Sequence, residues 1–273
     1  MTIDAETRLF GVIGNPVAHS LGPVMHNRAF AHLGINAAYL AFEVTDIGAA
    51  VAGIRGLGLG GVSVTIPHKS AVMAHLDSVD DLARAVGAVN TVVHRDGRLT
   101  GHNTDCEGAM AALSGVTAVD GRSVAVLGAG GSARAVGFGI RAAGGRVTIY
   151  NRSRQRGEAL AGDLGVPFRP LADFSGRDVD ILVNTTAVGM VPEADAMPVA
   201  PEALAPHLVV MDIVYRPRRT RLLKAAAAKG CRVVDGLAMF VGQGARQFER
   251  WTGRTAPVAV MEAAVLDALK ETP

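Results

Sequence analysis

The chain has 273 residues, and 27 Lys and Arg against 25 Asp and Glu give a formal net charge of +2. This near balance gives no electrostatic reason to expect nucleic acid or an anionic membrane as the main partner. The hydrophobic content of 49% excludes a disordered chain. No apolar run is long enough to span a bilayer, and two cysteines make no disulfide framework. We therefore expect a cytoplasmic protein with no membrane or nucleic-acid partner, as a monomer or a homodimer.

Short apolar runs alternate with segments of helical period, which predicts βαβ units and mainly parallel sheets. In the first part of the chain, a helix is predicted from Gly22-Pro23 to Gly34 and another over 46–55. Asp96-Gly97 is typical of a hairpin turn. The strands predicted here are 9–14, 37–44, 61–66, 88–93 and 98–103.

A turn at 120–122 precedes a second series of βα units, and a helix is predicted over 105–114. Further helices are predicted over 131–143 and 154–164. The strands predicted here are 123–128, 146–151, 179–186, 209–215 and 231–236. This pattern predicts a two-domain α/β protein. An N-terminal domain of 1–105 would bind substrate, the helical segment 237–273 would pack back on it, and 106–236 would form a Rossmann-type, doubly wound domain.

A glycine motif of the form G-x-G-x-x-A follows the predicted strand 123–128 and opens the next helix. The first glycine permits the tight turn, the second lets a pyrophosphate approach the backbone, and the helix N-terminus supplies amide donors. The motif therefore predicts a dinucleotide site. Its candidate cofactor-binding residues are Gly128, Ala129, Gly130, Gly131 and Ser132.

The end of the next strand, about 20 residues later, indicates which dinucleotide binds. An NAD-selective site carries an acidic residue there, whereas this chain has Asn151, Arg152, Ser153 and Arg156. Arginines can pair with a ribose 2′-phosphate, so the sequence predicts NADP. The alternative is that these arginines only form the solvated start of a helix.

Three polar groups follow predicted strands, where open α/β sheets bind ligands. Lys69 comes after the strand stopped by Pro67, Asn90 lies in the next strand, and Asp105 follows the strand after that. An ammonium, a carboxylate and an amide suit a small polyhydroxylated substrate with a carbonyl to be reduced. Two alternatives stay open: Lys69 can be a surface lysine, and Asp105 can serve a capping box formed by Thr104 and Glu107.

Motifs spread along the whole chain resemble those of the shikimate dehydrogenase family. The matching segments are Gly14-Asn15-Pro16, His19-Ser20, His26-Asn27, Val64 to Lys69, Gly87 to Thr91, Asn103-Thr104-Asp105, Gly128 to Gly131, Asn151-Arg152-Ser153, Asp212 to Tyr215 and Gln243. The resemblance implies reversible, NADPH-dependent reduction of 3-dehydroshikimate to shikimate, a step of chorismate and aromatic amino-acid biosynthesis.

The resemblance also implies roles for individual residues. It makes Lys69 and Asp105 the catalytic pair at the reacting oxygen. Tyr215 and Gln243 are less specific, because a Tyr ending a strand and a Gln in a helix are ordinary. The implied substrate contacts are Ser20, Thr65, Asn90, Asp105, Tyr215 and Gln243, with Gly22 at a further substrate position. The implied cofactor contacts outside the glycine motif are Asp81, Ile213 and Gly236.

Two positions depart from the family pattern, which has a second serine at Gly22 and an asparagine at Ser63. Gly22 lacks a hydroxyl donor for the substrate carboxylate, a loss of about 1–3 kcal/mol unless another group replaces it. Quinate or aminoshikimate dehydrogenase therefore stays an alternative, as does an NADP-binding regulator that is weak in catalysis. The histidines and cysteines show no metal-ligand spacing, so no metal is expected.

Overall fold

The computed structural model describes residues 3–270. The chain divides into two compact units. Unit 1 comprises Met1–Thr104 and Gln243–Pro273, and unit 2 comprises Asp105–Gly242.

Unit 1 contains a six-stranded, mainly parallel sheet. Its strands are β1 (Arg8–Gly14), β2 (Ala37–Glu43), β3 (Gly61–Val64), β4 (Ser78–Val79), β5 (Thr91–Arg95) and β6 (Arg98–His102). The strand order is β2-β1-β3-β5-β6-β4. Strand β1 pairs in parallel with β2 and β3, and β4 with β6, whereas β5 is antiparallel to both neighbours. The helices between these strands are α1 (Gly22–His32), α2 (Ile47–Gly56) and α3 (Asp81–Val86).

Unit 2 is a doubly wound domain with six parallel strands. These are β7 (Ser123–Leu127), β8 (Arg146–Asn151), β9 (Phe168–Pro170), β10 (Ile181–Asn184), β11 (Val209–Asp212) and β12 (Arg232–Val234), in the order β12-β11-β10-β7-β8-β9. This is the Rossmann order, in which the winding reverses between β7 and β10. The helices of this part are α4 (Thr104–Ser114), α5 (Gly131–Ala142), α6 (Arg154–Leu164) and α7 (Arg221–Ala228). The predicted Rossmann-type fold class is confirmed.

Two helices end the chain, α8 (Gly236–Thr252) and α9 (Val258–Lys270). Helix α9 packs on α1 within unit 1. The division between the units falls inside α8, so residues 237–242 belong to unit 2 and not to the first domain as predicted. The helix is continuous across that point, although Gly242 and Gly244 flank the division in the sequence.

Several element boundaries differ from the predictions. Strand β5 begins at Thr91 and not at 88, because the amide of Val89 donates to the carbonyl of Lys69 at 2.8 Å outside the sheet ladder. The predicted strands 179–186 and 209–215 shorten to β10 and β11. Elements β4, α3 and β9 were not predicted, because each has six residues or fewer and gives too short a window for a periodic pattern.

Candidate active site

Ser20 and Gly22 lie where the loop after β1 enters α1. Gly22 is buried and is the first residue of α1, with Pro23 following it. The Gly22 amide donates a hydrogen bond to Oγ of Ser20 at 3.2 Å. This bond uses the Ser20 oxygen as an acceptor and leaves the hydroxyl proton for another acceptor.

Thr65 and Lys69 lie in the segment that follows β3. The Thr65 amide donates to the Ile13 carbonyl at 2.9 Å, which fixes this segment to the end of β1. The Val89 amide donates to the Lys69 carbonyl, as described above. Because Val89 directly precedes Asn90, this bond holds the backbone of Lys69 close to that of Asn90. Both side chains are half-buried.

Asn90 is the centre of a buried polar cluster in unit 1 and is only 2% exposed. Its Nδ2 donates to Oγ1 of Thr104 at 3.0 Å and, more weakly, to Oε1 of Gln243 at 3.4 Å. Its Oδ1 accepts from the Thr104 amide at 2.7 Å and from the Thr91 hydroxyl at 2.9 Å. The structure therefore brings together two of the predicted substrate residues, Asn90 and Gln243.

Asp105 lies in the first turn of α4 and is 6% exposed. Thr104, which the capping alternative placed before the helix, is itself the first residue of α4. Burial raises the pKa of the neighbouring Cys106 thiol to about 11, and the charges of Glu107 and Asp105 add to that shift. Cys106 therefore stays protonated at neutral pH and is no nucleophile.

The glycine motif of unit 2 connects β7 to α5, and two of its glycines serve different purposes. Gly128 has a φ of +115°, and a Cβ there would lie 2.8 Å from Oγ1 of Thr185. Gly130 is the N-cap of α5, and a Cβ built on it would meet no atom within 4 Å. Gly128 thus allows the backbone to turn, whereas Gly130 leaves open space beside the helix N-terminus. That combination fits the pyrophosphate of a dinucleotide.

The end of β8 carries the residues predicted to recognise the ribose. Ser153 is the N-cap of α6, and its Oγ accepts a hydrogen bond from the Arg156 amide at 3.4 Å. Asn151 Nδ2 donates to the Ser153 carbonyl at 2.9 Å, which fixes the turn. Arg152 and Arg156 are exposed, while Arg154 pairs with Glu158 at 2.9 Å. Two exposed guanidinium groups without a carboxylate in 151–156 fit a 2′-phosphate.

The loop after β11 holds the remaining predicted residues of unit 2. Asp212 is fully buried and accepts hydrogen bonds from Nδ2 of Asn184 at 2.9 Å and from the Thr220 hydroxyl at 2.7 Å. Burial raises the pKa of Asp212 to about 6, against these hydrogen bonds, which favour the charged form. Asp212 therefore ties the two ends of the loop that carries Tyr215.

Ring and backbone contacts fix that loop further. Tyr215 stacks on Phe240, with ring centroids 4.3 Å apart. A Cβ on Gly236 would lie 2.4 Å from the Ile213 carbonyl oxygen, so only glycine fits where these backbones approach. Asp81, in contrast, is an exposed residue in the first turn of α3 in unit 1. Asp81 belongs to unit 1, whereas the other cofactor candidates belong to unit 2.

The sequence did not predict the buried partners Tyr39 and Gln247, nor the role of Asp212 as an anchor of its loop. The Ser63 hydroxyl in the apolar strand β3 could have indicated a buried polar partner, because a buried hydroxyl requires a hydrogen-bond partner. Gln247 lies one helical turn after Gln243, so the i, i+4 spacing placed both on one face of α8.

Within 3–270, no helix has both the length and the apolar character needed to cross a membrane. No three His, Cys, Asp or Glu side chains in that range are grouped so that they could hold a metal ion.

Comparison with known proteins places this architecture in a family. Residues 12–92 match the family described as "Shikimate dehydrogenase substrate binding domain", and residues 236–266 match "Shikimate 5'-dehydrogenase C-terminal domain". The protein named "Shikimate dehydrogenase (NADP(+))" of Symbiobacterium thermophilum is 50% identical over 97% of this chain and 96% of its own length.

Solved structures agree with this match. A crystal structure of a shikimate dehydrogenase in complex with NADP+ has a TM-score of 0.94 and 39% identity, covering 98% of each chain. That of shikimate 5-dehydrogenase from Thermus thermophilus, in complex with NADP(H) and shikimate, has a TM-score of 0.89 and 41% identity, covering 96% of this chain and all of the other. With identities of this size over nearly its full length, the chain belongs to the shikimate dehydrogenase family.

Proposed function

We propose that this protein catalyses the reversible, NADPH-dependent reduction of 3-dehydroshikimate to shikimate. The observation that carries the proposal is the nearly full-length similarity to relatives named Shikimate dehydrogenase (NADP(+)). The reaction belongs to the shikimate pathway, which leads to chorismate and the aromatic amino acids. The enzyme is then an oxidoreductase with unit 1 as its substrate domain and unit 2 as its NADP domain.

Substrate recognition is assigned to polar groups on several elements. Ser20 offers its hydroxyl proton to the substrate carboxylate, supported by the Gly22 amide that already occupies the Ser20 oxygen. Asn90, held by Thr104 and Thr91, would exchange the long 3.4 Å bond from its Nδ2 to Gln243 for a bond to a ring hydroxyl. Thr65, Tyr215 and Gln243 complete the proposed set of contacts to hydroxyl and carboxylate groups.

Acid-base chemistry is assigned to Lys69 and Asp105. Reduction of the C3 carbonyl produces an alkoxide, which takes one proton from the Lys69 ammonium, and the reverse reaction returns that proton to neutral Lys69. The Asp105 carboxylate stabilises the ammonium and orients it towards the reacting oxygen. A protein that only binds NADP would have no chemical need for both Lys69 and Asp105, which argues against a regulator of that kind.

NADPH, when bound, would supply the hydride, and NADP+ would accept it in the reverse reaction. The residues that would hold its pyrophosphate are Gly128, Ala129, Gly130, Gly131 and Ser132, at the N-terminus of α5. Arg152 and Arg156 would bind the 2′-phosphate, with Asn151 and Ser153 shaping the turn that carries them. Ile213 and Gly236 would line the nicotinamide pocket, and Asp81 would lie near the cofactor.

The cellular setting is also part of the proposal. We infer that the enzyme acts in the cytoplasm as a monomer or a homodimer on small-molecule substrates. The net charge of +2 supports the absence of a nucleic-acid or membrane partner.

The direct test is to mix the purified protein with NADPH and 3-dehydroshikimate and to follow NADPH absorbance while identifying the product by NMR. We expect NADPH oxidation that depends on 3-dehydroshikimate, with shikimate formed in equal amount. NADPH binding without any turnover would contradict the proposal and favour a regulator.

A further inference from the structure

A chain of buried hydrogen bonds crosses unit 1 behind the candidate substrate residues. The Tyr39 hydroxyl on β2 donates to Oγ of Ser63 on β3 at 2.6 Å. The Ser63 hydroxyl in turn donates to Oε1 of Gln247 on α8 at 2.8 Å. Tyr39, Ser63 and Gln247 are 1%, 9% and 2% exposed, so water does not compete for these bonds.

The other end of the Gln247 side chain reaches Asn90. Its Nε2 donates to the Asn90 carbonyl at 3.2 Å and to Oγ1 of Thr91 at 3.1 Å. The Thr91 hydroxyl then donates to Oδ1 of Asn90. Since Oε1 can only accept and Nε2 can only donate, these partners fix the carboxamide in one orientation. Gln247 is therefore linked both to the backbone and to the side chain of Asn90.

The Tyr39 end of the chain lies against Gly22. A Cβ built on Gly22 would be 3.2 Å from Cε1 and 3.4 Å from the hydroxyl oxygen of Tyr39, and 3.2 Å from Oγ of Ser20. The phenol edge of Tyr39 thus borders the space that a side chain at position 22 would enter. The hydrogen-bond chain consequently runs from Tyr39, whose ring lies beside the Ser20 and Gly22 loop, to Asn90.

We propose that Gln247 is a positioning residue for substrate binding. Its carboxamide holds Tyr39 in place beside Gly22 and also holds the amide of Asn90. The groups that contact the two ends of the substrate are therefore fixed relative to each other before the substrate binds. The inference rests on the proposed function, because it assumes that Ser20 and Asn90 contact the substrate. If Tyr39 and Asn90 are no longer held in place, the enzyme should bind the ground state and the transition state less tightly by the same amount. This change should raise KM more than it lowers kcat.

The test compares Gln247→Met, which keeps the side-chain length but removes both hydrogen-bonding ends, with Tyr39→Phe, which removes one hydroxyl at the far end of the chain. We expect Q247M to raise KM for shikimate about 10-fold, the loss expected for one hydrogen bond to substrate, with kcat within about twofold of wild type. The Kd of NADP should not change. Because Y39F interrupts the same chain, the double variant should be no worse than Q247M alone.

Thr252→Val is the matched control, since the Thr252 hydroxyl donates to the Phe248 carbonyl on the same helix at 2.8 Å, outside the chain described. T252V should keep the wild-type KM even if its Tm falls. A Q247M variant with lowered Tm and wild-type KM would overturn the proposal, as would strictly additive effects of Y39F and Q247M. If Q247M does not fold, a wild-type KM in Y39F overturns it. Absence of shikimate oxidation by the wild-type enzyme would instead refute the proposed function.

Discussion

The imidazole ring of His26 stacks on the phenol ring of Tyr39, with centroids 4.5 Å apart and planes inclined by 23°. His26 is completely buried, and among residues 3–270 neither of its ring nitrogens has a hydrogen-bond partner of good geometry. Burial lowers the pKa of His26 from 6.5 to about 3, and the nearby Gln247 carboxamide opposes that shift in part. The folded protein therefore requires the neutral ring.

This buried ring makes stability depend on pH. The unfolded chain takes up a proton on His26 near pH 6.5, whereas the folded chain resists protonation down to about pH 3. The stability contribution is therefore complete above pH 6.5 and is lost as the pH falls towards 3, by about 2 kcal/mol at pH 5. We expect His26→Leu to show a smaller fall in Tm between pH 7.5 and 5.0 than wild type. His32→Leu, at an exposed position, is the control, and an unchanged pH dependence in H26L would contradict this explanation.

Gly130→Ala separates cofactor binding from folding. Gly130 has φ −101° and ψ −174°, which alanine adopts without strain, and its Cβ would meet no protein atom within 4 Å. We expect a wild-type Tm but a Kd for NADP at least about 10-fold higher, because the methyl group occupies the space meant for the pyrophosphate. Gly162→Ala, also with open space in α6, should bind NADP normally. Normal NADP affinity in G130A would show that the pyrophosphate does not bind beside Gly130.

Arg152 and Arg156 should determine the preference for NADP over NAD. Each substitution by alanine removes a charge-assisted hydrogen bond, so we expect KM for NADP to rise about 10- to 100-fold while the rate with NAD stays unchanged. The control is Arg154→Ala, because Arg154 already pairs with Glu158. Steady-state kinetics with both cofactors measure this. Equal losses of catalytic efficiency with NADP and with NAD would show that the arginines do not bind the 2′-phosphate.

Lys69→Met should abolish most turnover without weakening cofactor binding. Loss of the proposed proton donor should lower kcat by about 100- to 10,000-fold. NADP affinity, followed by fluorescence titration, should match wild type. Lys224→Met in α7 changes an exposed lysine and should retain full activity. A K69M enzyme with near-normal kcat would remove Lys69 from the proton transfer.

Local sequence patterns predicted much of this fold, because the relevant forces act over a few residues. The Asp96-Gly97 turn is one example: both residues have positive φ, at 52° and 73°, as a tight hairpin turn requires. The glycine motif at the start of α5 is another. Strand order was not predictable in the same way, since alternating strands and helices are compatible with several orders in a sheet.

The hydrogen-bond chain behind the candidate substrate residues could not be predicted, for a related reason. Ser63 and Gln247 are 184 positions apart, and each residue is ordinary in its own neighbourhood. Only the folded unit 1 brings β3 and α8 together and shows which buried polar groups satisfy each other. By contrast, Lys69 comes soon after an apolar strand and Pro67, so its position in the segment that follows β3 could be predicted from local sequence alone.

The substrate and cofactor specificity proposed here can be tested by initial rates of oxidation of shikimate and quinate at equal concentrations, each with NADP and with NAD. We expect shikimate with NADP to give by far the highest of the four rates, despite the missing side chain at Gly22. A dominant rate with quinate or with NAD would contradict the substrate or the cofactor assignment, and four negligible rates would contradict the proposed enzyme activity itself.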